Sequence, residues 1–201
     1  MRHFTSTAFA LVLLLPLTGC TSMMLGMMGM HKPKVQSEQD MVKQARRYGI
    51  TSDMLFRMDT SLFSQRVGED RLSQALFQPA QIRVYDPSDT LQAILANCHV
   101  GGFPNLKWKR SGWTERFPPS SAVPHDSAVY FSRDIQWWKP LPGTGEIVRQ
   151  PGRPAVVLVW TRFLGRQSKR MVRYAEELRL SWPEADWYYV NMDDLYLQAE
   201  F

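Results

Sequence analysis

The 201-residue sequence predicts a mixed α+β, in part α/β, protein: a helical N-terminal annex, then a mixed-sheet domain closing on a βαβ unit. Three observations carry this. Apolar residues recur at helical spacing between 37 and 77, the pattern changes to strand-like alternation from Pro79, and the last third reads strand, helix, strand.

The elements follow in order. Ala8 to Leu17 form an apolar run after a start containing Arg2, too short for the roughly twenty apolar residues of a membrane-spanning helix. Charged start, apolar middle and small-residue end together read as an export signal over 1–19. Residues 20–36, with five methionines broken by Gly26 and Gly29, read as a flexible tether; a soft-metal site is the alternative for those methionines. Ser37 is placed to cap a helix over Glu38 to Tyr48 that stops at Gly49. Met54, Leu55, Met58, Leu62 and Phe63 predict a second helix, and Glu69 to Phe77 a third, completing an annex over 37–78.

The domain from 79 to 201 begins with Gln81–Tyr85, which alternates as a strand, before the turn Asp86-Pro87-Ser88-Asp89. Leu91 to Ala96 fits a strand or a short helix. Leu106 to Lys109 alternates again, and Val129-Tyr130-Phe131 reads as one more strand. Residues 103–154 hold eight of the thirteen prolines and four of the seven tryptophans, so ordered loops and proline-limited strands are expected there. Ala155 to Trp160 is a continuous apolar run, the signature of a strand buried on both faces. Phe163 to Gln167 is a loop, Ser168 a candidate cap, and Met171, Tyr174, Ala175 and Leu178 an apolar helical stripe ended by Trp182-Pro183. Trp187 to Asp193 supplies the second strand and its exit turn, and the pair should be parallel with a right-handed crossover.

Net charge is +5, falling to +4 if residues 1–19 and their single Arg2 are removed. This mild excess fits an anionic surface but lacks the dense basic stripe of a nucleic-acid binder, so no nucleic-acid partner is expected. Among chemistry-bearing residues, Cys98-His99 is the one cysteine–histidine neighbour pair, yet strand neighbours point to opposite faces. Cys98 therefore reads as a buried small side chain, with a reactive thiol as the alternative. His125-Asp126 reads as an exposed turn, with a general-base pair or zinc ligands as the alternative. No zinc-ligand spacing is present, and neither a metal nor a cofactor is expected. Arg162, Arg166, Lys169, Arg170 and Arg173 cluster at the start of the last helix, where positive charge is unfavourable without an anion. They read as a solvated face or as a contact for phospholipid headgroups or an acidic partner. The tryptophans and tyrosines read as core, with a glycan-stacking platform as the alternative.

Two resemblances add to this. Leu17-Thr18-Gly19-Cys20 resembles the lipobox of bacterial lipoproteins, which implies cleavage before Cys20 and acylation of that cysteine with fatty acids such as palmitate. Thr21, where inner-membrane lipoproteins carry Asp, implies the periplasmic face of the outer membrane. Residues 154–194 are similar to the central unit of the thioredoxin family, with Val156–Trp160 as the strand, Phe163–Lys169 as the redox loop and Val190-Asn191-Met192-Asp193 as the exit turn. Both cysteines of that loop are missing, with Leu164 at the first and Ser168 near the second, so thiol–disulfide exchange is not expected there. The chain also ends at Phe201, which leaves the family's last strands no room after the βαβ unit. The expectation is a non-enzymatic envelope lipoprotein, held to the membrane through Cys20, that binds or scaffolds another envelope protein. The alternatives are a thiol-linked activity at Cys98 and a glycan-binding module.

Overall fold

The computed structural model describes residues 29–63, 76, 78–96 and 129–198. Its frame is one six-stranded mixed sheet built from β1 (Leu55–Met58), β2 (Gln81–Tyr85), β3 (Leu91–Ala96), β4 (Trp138–Pro140), β5 (Ala155–Trp160) and β6 (Asp186–Asn191), in the spatial order β3-β2-β5-β6-β1-β4. β5, β6 and β1 are parallel, while β2 lies antiparallel to β5, β3 antiparallel to β2, and β4 antiparallel to β1. The helices are α1 (Glu38–Tyr48), α2 (Thr60–Phe63), α3 (Phe131–Asp134), α4 (Arg166–Ser181) and α5 (Asp193–Gln198), with a 3₁₀ turn at Ile135–Trp137.

The apolar run of β5 is buried along its whole length, because the sheet is covered on both faces. On one face α1 and α4 pack Met41, Ala45, Met171 and Ala175 onto Ile82, Leu158 and Tyr189. On the other, Phe131 and Trp138 meet Phe56 and Tyr188 in edge and tilted ring contacts 5.0–6.4 Å between centroids. The expected βαβ unit is β5–α4–β6, and the stripe Met171, Tyr174, Ala175 and Leu178 is buried as expected.

Two expectations are corrected. Met54–Phe63, read as helix, contains strand β1 and one turn of α2. A short apolar run satisfies both periods, and pairing of Leu55–Arg57 with Tyr189–Asn191 of β6 decides for strand. The N-terminal region is thus part of the sheet rather than a purely helical annex. At Val129-Tyr130-Phe131 the chain makes a single bridge, Tyr130 to Thr90, and turns into α3. α1 matches its reading: the Ser37 Oγ accepts the Asp40 amide at 3.1 Å, and the helix ends at Gly49. Leu91–Ala96 resolves to strand. Leu106–Lys109 and all of 69–77 except Leu76 lie outside the described residues.

β2 also carries a charge into the interior. Arg83 and Asp134 are both buried and paired at 2.5 Å, the Tyr85 hydroxyl donates to the same carboxylate oxygen, and Arg83 Nη2 donates to the Leu76 carbonyl at 2.5 Å. Burial, followed by the Asp134 charge, pushes the Tyr85 phenol well above its ordinary range.

Candidate functional site

The chemistry-bearing side chains gather at the end of the sheet where β5 and β6 finish, here the upper end, where open α/β sheets place their ligands. Asp193, the first residue of α5, is its pin. The carboxylate is buried and accepts the backbone amides of Arg162 (2.7 Å) and Phe163 (3.2 Å) and the side-chain amides of Asn191 (2.8 Å) and Gln36 (2.9 Å). Asn191 Oδ1 accepts the Asp193 amide in return at 3.0 Å. One carboxylate thus ties the β5–α4 loop, the end of β6 and the segment before α1 together.

That segment, Gly29–Gln36, runs across the loop. The His31 amide donates to the Phe163 carbonyl at 2.7 Å. Gly165, which caps α4 without a side-chain bond, has φ +46°, and a Cβ there would overlap the Gly29 carbonyl oxygen. Gly29 itself has φ +71° with the Arg166 side chain against it. The crossing requires glycine at both positions. Phe163, Leu164 and Gly165 are consequently buried. Ser168 is not the cap that its position suggested. It lies inside α4, fully buried, and its Oγ accepts the Thr161 amide at 3.3 Å.

Beside the crossing is a cavity of about 280 Å³ lined by His31, Lys32, Lys34, Tyr48, Arg162 and Asp193, among others. The Tyr48 hydroxyl lies 3.4 Å from the Arg162 carbonyl, and burial with the Asp193 charge pushes its phenol up to about 12. It stays a neutral donor throughout the physiological range.

Four of the five predicted cations, Arg162, Arg166, Lys169 and Arg170, are brought together here, whereas Arg173, midway along α4, lines a groove with Thr51, Glu176 and Leu180. Arg162, Arg166, Arg170 and Arg173 are exposed and Lys169 is half-buried. Among the described residues Arg162, Lys169, Arg170 and Arg173 form no ion pair, and the first turn of α4 holds no acidic residue. Asp193 forms no ion pair with them; its oxygens are engaged by four N–H groups. The arrangement presents positive charge outward over the positive end of a sixteen-residue helix. It offers no nucleophile paired with a base, and no group of three potential metal ligands occurs among the described residues.

Sequence reasoning found the cations and the Asn191-Met192-Asp193 turn, but missed Asp193 as the organising carboxylate and the residue 29–31 crossing. Cys20, Cys98, His99, His125 and Asp126 lie outside the described residues, as do Trp108 and Trp113. Of the described tryptophans, Trp138, Trp160, Trp182 and Trp187 are buried in the core.

The opposite, lower end carries a broader groove of about 700 Å³, lined by Met54, Val148, Leu180, Pro183, Trp187 and Tyr188 among others. Leu180 and Val148 are 77% and 64% exposed, and both border this groove. No helix among the described residues is long and apolar enough to cross a membrane. No protein-family model, curated protein or solved structure matches this chain.

Proposed function

We propose that this chain is a non-enzymatic lipoprotein of the bacterial envelope, anchored through Cys20 on the periplasmic face of the outer membrane, whose domain binds another envelope protein. The observation that carries the non-enzymatic part is the covered β5–α4 loop. In a thioredoxin-like arrangement this loop would hold the reactive thiols. Here Leu164 and Ser168 stand at or near those positions, both are buried, and residues 29–31 lie against Phe163, Gly165 and Arg166 of the same loop and helix start. The sheet supports a thioredoxin-like layering in altered order, because its antiparallel β2–β3 hairpin flanks β5 but precedes the βαβ unit in the chain.

The same crossing supports the anchored reading. It fixes the chain only nine residues after Cys20, so the lipid would hold the domain within about 30 Å of the bilayer even with that linker fully extended. A domain held this way with a closed loop has its exposed surfaces to offer, and the lower groove with Leu180 and Val148 is the surface suited to a protein partner. The test is photo-crosslinking in intact cells from probes at Leu180 and Val148. One discrete envelope-protein adduct from both positions is expected. Adducts scattered over unrelated proteins, or none, would contradict the partner reading.

A further inference from the structure

Resting on the anchored reading above, we infer that the upper end of the domain lies on the membrane itself, with Arg162, Lys169 and Arg170 seated among anionic phospholipid headgroups. Two independent observations meet here. The first is a difference in pairing: at the lower end Arg46, Arg149, Arg153 and Arg179 each hold a carboxylate at 2.6–3.0 Å, whereas among the described residues these three cations hold none. Lys32 and Lys34 stand on the same end, lining its cavity. The second is placement. Gly29–His31, where the described chain begins, is bonded to the β5–α4 loop beside the cations, while α4, about 24 Å long, carries the groove with Leu180 away from it.

The physics favours that orientation. An anionic leaflet attracts each nearby Lys or Arg by about fivefold in equilibrium, an effect that decays within a Debye length of about 8 Å at physiological salt. Three cations at the start of α4 and in the preceding loop can act together at such a surface, while arginines already paired with carboxylates at the lower end gain less from it. A polar anchor point and a basic face on the same end make one orientation self-consistent, with the apolar groove turned outward. An acidic protein surface would match the charge equally, but it would have to fit between the domain and a membrane held close by the anchor.

The full-length lipidated protein, reconstituted into nanodiscs, tests this. A photo-crosslinking residue is placed at Arg170 or, separately, at Glu184 near the lower end, and lipid adducts are counted by mass. With phosphatidylglycerol present, adducts from Arg170 should exceed those from Glu184 by at least about fivefold, the weight of a single cation. The excess should fall at least as much in pure phosphatidylcholine, or when R162Q and K169Q are combined. These changes are at the surface, so unchanged circular dichroism and melting would confirm the fold. Equal adducts from both ends, indifference to lipid charge, or a discrete protein adduct from Arg170 in cells would overturn the inference. Protein lacking an acyl mass on Cys20 would instead overturn the anchored reading, and with it this orientation. The two failures are therefore separately visible.

Discussion

The two ends of the β5–α4–β6 unit are built from the same residue types and treat charge in opposite ways. At the lower end Arg153 is clamped to Asp186 at 2.9 Å and Arg179 to Glu176 at 3.0 Å, and Arg149 reaches Asp89 at 2.7 Å. At the upper end the carboxylate of Asp193 is engaged by backbone and side-chain amides, and the exposed Arg162 and Arg170 form no ion pair among the described residues. The difference teaches that the arginines named at the lower end are neutralised within the chain, whereas among the described residues Arg162, Lys169 and Arg170 at the upper end are not. The interior gives the extreme case: Arg83 is buried and tolerated only because Asp134 is there.

The comparison is broken most severely at that interior pair. Asp134→Ala leaves a buried guanidinium without its counter-charge and should cost about 3–5 kcal/mol in chemical denaturation. The double change Arg83→Met with Asp134→Leu should recover much of that loss, and failure to do so would show that the pair does more than neutralise itself. Next comes Asp193→Ala, which strands several buried N–H donors at once and should cost on the order of 3 kcal/mol. Its amide-exchange signature should be loss of protection at Arg162 and Phe163.

Gly165→Ala sits lower, at about 1–3 kcal/mol, because it forces a side chain into a left-handed backbone and into the Gly29 carbonyl. Faster exchange of the His31 amide would show that the crossing has lifted. A smaller effect concerns pH. Asp59 accepts from Lys139 at 2.7 Å and from Ser61, and these bonds lower its carboxyl to about 2. Since the folded value lies below the unfolded one, its stabilisation is present above pH ~4 and lost as pH falls toward 2. Lys139 is half exposed, so solvent screening holds the effect to about 1 kcal/mol. Lys139→Met should flatten the acid limb of the stability curve by that amount. Smallest of all, Arg170→Gln should shift stability by less than about 0.5 kcal/mol in either direction, because no described partner is lost with it.

How much of this could be read in advance follows from which interactions are local. The β5 run and the α4 stripe announce themselves because burial on two faces, or on one, dictates an uninterrupted or a 3.6-residue pattern. β1 did not, because Met54, Leu55, Met58 and Leu62 satisfy helix and strand alike until β6 pairs with them. The cations of the upper end were legible as a cluster on one helix. What makes Arg162, Lys169 and Arg170 conspicuous, that among the described residues they form no ion pair while arginines below do, depends on contacts such as Arg149 with Asp89 that no spacing encodes. The Gly29–Gly165 crossing was invisible for the same reason, since each glycine alone reads as a tether or a loop.

The claim on which the functional account stands is the fate of Cys20. It is tested most directly by the intact mass of the N-terminal peptide of the protein recovered from its native membranes. A chain beginning at Cys20 and carrying fatty acyl mass, lost together with signal cleavage in Cys20→Ala, is the expected result. A mature chain that begins elsewhere, or an unmodified Cys20, would contradict it.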